Sequence, residues 1–298
     1  GDEEGLALAA ALAAVGAENQ SPVVAGADPA LLGVDSLARI EAIENLDDLL
    51  KDDAHAGWLE LRAGEDARWL ALVVNRFLMR LPYGAESDRV KGFAFEENPA
   101  DREPSYLWGR GPWAIGERIA ASYARCGWGV QLTGQDEDVV VGDLPVRLMR
   151  LKTGEILPSP LEAMLSERRA LECMQGGLIA LLCRRGGDFA FLAGAPMVHR
   201  AAHAGGATST AESRRDTLPF ALFVAQVGAW VAHLESAGRF ASEEERREAL
   251  ARGIQFLSMT GEGPTLEARI EGGALIVTPW RDPLRGLPDF AITLRTTD

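Results

Sequence analysis

Residues 169–192 read RALECMQGGLIALLCRRGGDFAFL, and this stretch decides the class of fold. Arg169 to Gln175 is built of helix formers and is stopped by Gly176-Gly177. Leu178 to Cys183 is then an unbroken apolar run of strand length. Arg185-Gly186-Gly187-Asp188 makes a turn, and Phe189 to Leu192 returns as a second strand. Helix, buried strand and returning strand in one short window predict a chain that layers helices on sheets.

The same alternation continues outward in both directions. Pro112 opens an amphipathic helix to Arg125, with Ile115, Ile119 and Tyr123 at fourfold spacing and Gly127 beyond its end. Pro22 to Ala25 reads as a short buried strand, and Asn45 caps a short helix running to Asp53. Trp69 to Leu81 is too densely apolar for its period to separate helix from strand. Downstream, Leu218 to Ala232 reads as a buried helix. A second helix opens on Ser242-Glu243-Glu244-Glu245, a capping box, with Glu243 and Arg247 paired on its solvated face. The end is β: Leu266 to Ile270, a Gly272-Gly273 turn, Ala274 to Thr278, then Phe290 to Arg295. The expected fold is α/β, mixed with α+β, its mixed sheets flanked by helices and followed by a C-terminal β segment.

The chain has 298 residues, 30 of them Lys or Arg and 44 Asp or Glu, for a net charge of −14. That surface repels phosphate backbones, so nucleic acid is not expected as a ligand. The hydrophobic fraction of 47% is ample for a core. Gly5 to Ala17 is apolar but shorter than the ~20 residues of a membrane span, and the acids ahead of it are wrong for a secretory signal. Cys126, Cys173 and Cys183 form no C-x-x-C pair, so neither a disulfide framework nor a zinc finger follows. These features predict a cytoplasmic protein with no membrane insertion.

Several strings suggest chemistry when taken alone. Gly109-Arg110-Gly111-Pro112-Trp113-Ala114 fits a loose dinucleotide fingerprint between a strand and a helix. Against it, Pro112 removes an amide and Trp113 fills the space of a pyrophosphate; a tight strand-to-helix turn is the competing reading. No P-loop string occurs in the sequence. His199 and His203 stand four apart, but the segment lacks a zincin glutamate and runs into Gly205-Gly206. Glu96 and Glu97 are adjacent, so on a strand they face opposite ways and cannot share one substrate; salt-bridge anchors or interface charges fit them better. No catalytic, cofactor-binding or metal site assembles, and neither an enzyme nor a cofactor is expected.

Ordered strings carry a resemblance. NRFLMRLPYG (75–84), Phe93-x-Phe95-Glu96-Glu97 and Tyr106-Leu107-Trp108-Gly109 come in sequence. Gly127-Trp128, Leu144-Pro145, Ser166-Glu167-Arg168-Arg169, Asp188-Phe189-Ala190-Phe191 and Leu218-Pro219-Phe220 follow. Upstream stand PVVAGADPALL (22–32) and Glu65-Asp66-Ala67-Arg68. Together they resemble the large subunit of the type VI secretion contractile sheath, the EvpB/ImpC/TssC/VipB family. Two places depart from the family's text: Arg110-Gly111 replaces its usual Asn-Ala, and Pro160-Leu161-Glu162 its Pro-Thr-Glu.

The resemblance implies a non-catalytic structural subunit. It would pair with a small sheath subunit and with copies of itself in a tube that contracts and drives an inner tube protein outward. A sheath of another contractile, phage-tail-like system and, beyond it, a nucleotide-binding enzyme using the Gly109 loop are the alternatives. The family's N-terminal part, which pairs with the small subunit and is recognised by a recycling unfoldase, is expected to lie outside these residues. A core domain over 1–205 and a C-terminal sheath domain over 206–298 are expected, divided at the Gly-, Ser- and Thr-rich stretch after His199. Phe290, Ile292 and Leu294, on a terminal strand able to join a neighbour's sheet, together with Glu96 and Glu97, are the expected interface residues. Trp108, Trp128 and Tyr83 are expected in the core.

Overall fold

The computed structural model describes residues 3–84, 95, 97, 106–150, 154–200, 214–257, 265–271, 274–280 and 290–293. Its helices are α1 (Glu3–Asn19), α2 (Leu46–Lys51), α3 (Ala56–Ala63), α4 (Gly111–Cys126), α5 (Glu167–Gln175), α6 (Leu218–Ala237) and α7 (Glu243–Leu257). The central sheet has four strands: β1 (Val23–Gly26), β2 (Leu70–Val74), β7 (Leu178–Leu182) and β8 (Phe191–Leu192), in the order β1-β2-β7-β8. β1, β2 and β7 run parallel, and β8 returns antiparallel to β7. Two short ribbons pair β3 (Arg76–Leu78) with β4 (Trp108–Arg110) and β5 (Arg147–Arg150) with β6 (Ile156–Ser159). The last sheet has the order β11-β10-β9, from β9 (Thr265–Glu271), β10 (Ala274–Trp280) and β11 (Phe290–Thr293).

The period of two in a strand explains the central layer. Leu70, Leu72 and Val74 of β2, with Leu178, Ala180 and Leu182 of β7, face one core shared with α1, α2, α3 and α5. Ala71 and Val73, with Ile179 and Leu181, face a second core shared with Ala114 and Ile115 of α4 and Leu218 and Ala221 of α6. Both strands are buried throughout, because helices cover both faces of the parallel sheet. That is why residues 70–74 showed no usable period: every position of β2 is apolar and faces one core or the other.

The break inside that run is Asn75, held at φ +88° between β2 and β3. Asparagine tolerates the left-handed region better than branched residues do. Its amide donates to Ala163 O (2.8 Å) and Leu181 O (3.0 Å), and its side-chain oxygen accepts from Arg76 N (3.0 Å) and Ala163 N (3.1 Å). The Pro160-Leu161-Glu162 segment is thereby clamped to β3, where Leu78 N donates to Pro160 O and Glu162 N to Arg76 O. The Glu162 carboxylate is paired with the Arg76 guanidinium.

Glycine ends two of the helices where the sequence placed its stops. Gly127 closes α4 at φ +76°, and Gly177 follows α5 at φ +79°, where a Cβ would press on the Arg62 guanidinium. The capping box at α7 is shifted by one residue. Ser242 accepts from Glu245 N, but Glu245 reaches Ala241 N rather than closing on Ser242.

A third core joins the end of α4 to the C-terminal elements. Cys126, Trp128 and Val130 meet Phe220, Phe223, Val227 and Val231 of α6, Leu250 and Ile254 of α7, and Leu266, Leu275 and Val277 of the last sheet. α6 therefore stitches the two halves together, contributing to the second and third cores at once. It runs to Ala237, five residues past the expected end. Its polar tail is used: Glu235 pairs with Arg246 of α7. Gln226 donates to Gly127 O at 2.8 Å, which accounts for a polar residue in an apolar run. Among the described residues α6 is the helix long and apolar enough to cross a membrane, by length and composition. The expected domain division at residue 205 falls outside the described residues.

Candidate functional site

The strings that carried the resemblance converge on the β3–β4 ribbon. Past β3, Arg80 forks onto Glu97, Nη1 to Oε2 at 2.6 Å and Nη2 to Oε1 at 2.7 Å. Tyr83 N donates to the same carboxylate at 3.0 Å, and the guanidinium stacks over the Tyr83 ring at 3.8 Å. Glu97 is thus the centre of a clamp on the Pro82-Tyr83 bend; Glu96 lies outside the described residues. The Arg80 hydrogen bonds, then the Tyr83 amide, hold the Glu97 carboxyl down to about 2.

A folded-state value below the ordinary one means that the clamp stabilises the chain above the usual carboxylate range and is lost as pH falls. The difference in melting temperature between wild type and Glu97→Gln is expected to be constant above pH ~4.5 and to shrink as pH falls toward ~2. Melting curves of both proteins across that range check it.

The Gly109 loop is a packing device. A Cβ on Gly109 would stand 2.5 Å from the Phe77 ring, and one on Gly111 would stand 2.5 Å from Val73 Cγ1. The first glycine lets β4 lie against β3, and the second lets α4 lie against β2. Both glycines of the dinucleotide-like string are thus explained by close approach of protein to protein. Trp113, in the next turn, is 74% exposed. The cleft at this end of the sheet, about 450 Å³, is bordered by Asp28, Arg76, Arg110, Gly111 and Glu162. Its buried carboxylate, Glu162, is already committed to Arg76.

The expected core aromatics divide. Trp128 is 2% exposed and packs on Phe223 with ring centroids 5.4 Å apart. Trp108 and Tyr83 are only half-buried, a correction to the expectation. Trp108 serves instead as a lid on the Arg147 guanidinium, 5.3 Å from its ring, and Tyr83 as the platform for Arg80.

The terminal strand is engaged with its own chain here. β11 pairs antiparallel with β10, Phe290 opposite Val277 and Ile292 opposite Leu275, so it does not swing free; Leu294 lies outside the described residues. β10 continues two residues beyond the expected Thr278, through Pro279 and Trp280, pairing with β9 alone. Proline is tolerated there because that side of the strand has no ladder to donate into.

His199 is buried, its Nδ1 2.9 Å from Asp216, which also receives Arg68 at 2.5 Å. His203 lies outside the described residues. Among the described residues no group of His, Cys, Asp or Glu is arranged to hold a metal ion. Burial raises the Cys173 thiol to about 12 and pushes Cys183 up as well, so neither is an activated nucleophile.

Sequence reading missed an apolar surface around the ribbons. Met79 and Leu107, joined by Met79 N donating to Leu107 O, are exposed, as are Leu81 and Phe95. Leu148 and Ile156 on the β5–β6 ribbon are exposed too. Burial alternates along Arg147-Leu148-Met149-Arg150, with Arg147 buried and Leu148 outward, but the residue types do not, so no local pattern marked this surface.

A family model described as VipB, the EvpB/VC_A0108 tail sheath N-terminal domain, matches residues 2–199. The chain belongs to that family, the large subunit of the type VI secretion sheath. The type VI secretion system sheath protein TssC1 of Pseudomonas aeruginosa is 32% identical over 193 residues, which are 64% of this chain and 39% of that protein. The chain therefore spans about two fifths of that relative's length (39%).

Proposed function

We propose that this protein is a structural subunit of a type VI secretion sheath in the cytoplasm. It pairs with a small sheath subunit and with copies of itself to form a tube around an inner tube protein, and acts without catalysis or cofactor. The observation that carries this reading is the match of the sheath-family model to residues 2–199, which hold the whole central sheet, the first core and most of the second. The packed glycines of the Gly109 loop remove the main reason for a nucleotide-dependent alternative.

Contraction needs one subunit to sit in two lattices, so the body must stay rigid while the links between subunits change. The three cores supply the rigid body. The β9–β11 sheet supplies a link: its terminal strand is an edge, and edge strands accept or donate pairing between chains. The surplus of acid, net −14, keeps unassembled copies apart.

Deleting residues 287–298 tests the link. Assembly into tubes on co-expression with a small sheath subunit is expected to be lost, while the isolated chain keeps its secondary structure and its melting temperature within a few degrees. Loss of the folded monomer would instead make the strand part of the chain's own core.

A further inference from the structure

The central sheet is open at β1. β2 and β7 are buried along their whole length, whereas Val23, Val24 and Ala25 are half-buried and Gly26 is exposed. Just past the strand, Ala27 N donates to Val73 O at 2.9 Å, which fixes the phase of the ladder. Backbone groups alternate sides along a strand, so Val23, Ala25 and Ala27 turn theirs toward β2. Val24 and Gly26 turn theirs to the outer edge. Beyond the β1–β2 ladder, no hydrogen bond among the described residues reaches the backbone of Val24 or Gly26.

A cleft of about 330 Å³ runs beside this edge, between Leu8 and Leu12 of α1, the Ala25–Asp28 stretch and Leu31. Trp58 forms part of its wall. Asp28 stands at the mouth of the cleft. With a net charge of −14, the chain favours a basic visitor over a second acidic copy of itself.

We propose that β1 accepts an extended basic segment of another polypeptide as a fifth strand of the central sheet. Its backbone pairs with Val24 and Gly26. A bulky aliphatic side chain fills the Leu8–Leu12–Leu31 cleft, and a flanking Lys or Arg meets Asp28. This site is distinct from the C-terminal strand and does not depend on how the sheath contracts.

The probe is a capped Lys-Val-Leu-Val-Lys peptide at millimolar concentration, with its N-methylated form as control, read by amide hydrogen exchange in the full chain. Without peptide, the Val24 and Gly26 amides exchange freely while the Ala25 amide is protected. The peptide slows exchange at Val24 and Gly26 by at least about tenfold and shifts the Trp58 indole resonance, and the N-methylated form does neither. Val24→Pro, which removes the outward amide and trims a side chain packed on the second core, abolishes the protection at Gly26, whereas Val24→Ala, which trims the same side chain but keeps the amide, retains it.

Three results overturn the proposal. The first is protection of Val24 and Gly26 in the free monomer, and the second is an equal response to the N-methylated peptide. The third is protection that tracks self-association of the chain, which makes a second copy the occupant. These outcomes are independent of whether tubes form.

Discussion

Asn75→Ala destabilises the chain by about 4 kcal/mol, the sum of several unmet buried groups and a strained backbone. Asn75 is 2% exposed and makes four hydrogen bonds that tie β2 and β7 to the 160–163 segment. Alanine leaves the carbonyls of Ala163 and Leu181 and the amides of Arg76 and Ala163 without those partners, at φ +88°. Asn75→Gly separates the two causes. It loses the same hydrogen bonds but not the strain, so it is expected to retain about 1 kcal/mol more stability than Asn75→Ala. Denaturant midpoints at unchanged slope provide the measurement. Two variants of equal stability would show that the backbone conformation carries no strain.

Arg169→Met costs about 3 kcal/mol, because it leaves the buried Glu172 carboxylate with the exposed Arg168 as its one charged partner and takes a donor from Ile43 O. Arg169 is 0% exposed. It donates to Glu172 Oε2 at 2.5 Å and to Ile43 O. Glu172 in turn accepts from Leu46 N at 3.2 Å, holding the first turn of α2, and from Arg168 Nη1 at 2.9 Å. The pair thus docks α5 onto α2. Adding Glu172→Gln to Arg169→Met removes the under-compensated charge yet keeps an oxygen for Leu46 N. The double variant is expected to recover at least about half of the loss. An additive double variant would mean that the two side chains act independently.

What the sequence revealed depended on whether a signal was local. Helix α4 was legible from Pro112 to Gly127 because its period, its first-turn proline and its left-handed stop all lie within it. The β7–β8 return was legible for the same reason. The pairing of β1 with β2 and of β2 with β7 was not, since those partners are joined only through long crossovers. The split of residues 69–81 into two strands hangs on Asn75, and its meaning comes from Ala163 and Leu181, far along the chain.

The candidate surfaces followed the same rule. Glu97, expected as either a salt-bridge anchor or an interface charge, is paired with Arg80, a partner that nothing local named. Trp108 was misplaced because an indole beside an apolar helix looks like core until Arg147 arrives from another ribbon. The edge position of β1 was invisible, because it depends on which of the described strands pair beside it. The resemblance did survive these errors: it rested on ordered strings, several of which prove to be one clamp around Asn75, Glu162 and the β3–β4 ribbon.

The most direct test of the central claim is co-expression of this chain with candidate small sheath subunits, followed by negative-stain microscopy of the co-purified material. Hollow cylinders containing both proteins, in long and shortened forms, are the predicted result. A chain that stays monomeric and never co-purifies with any small sheath subunit would contradict it.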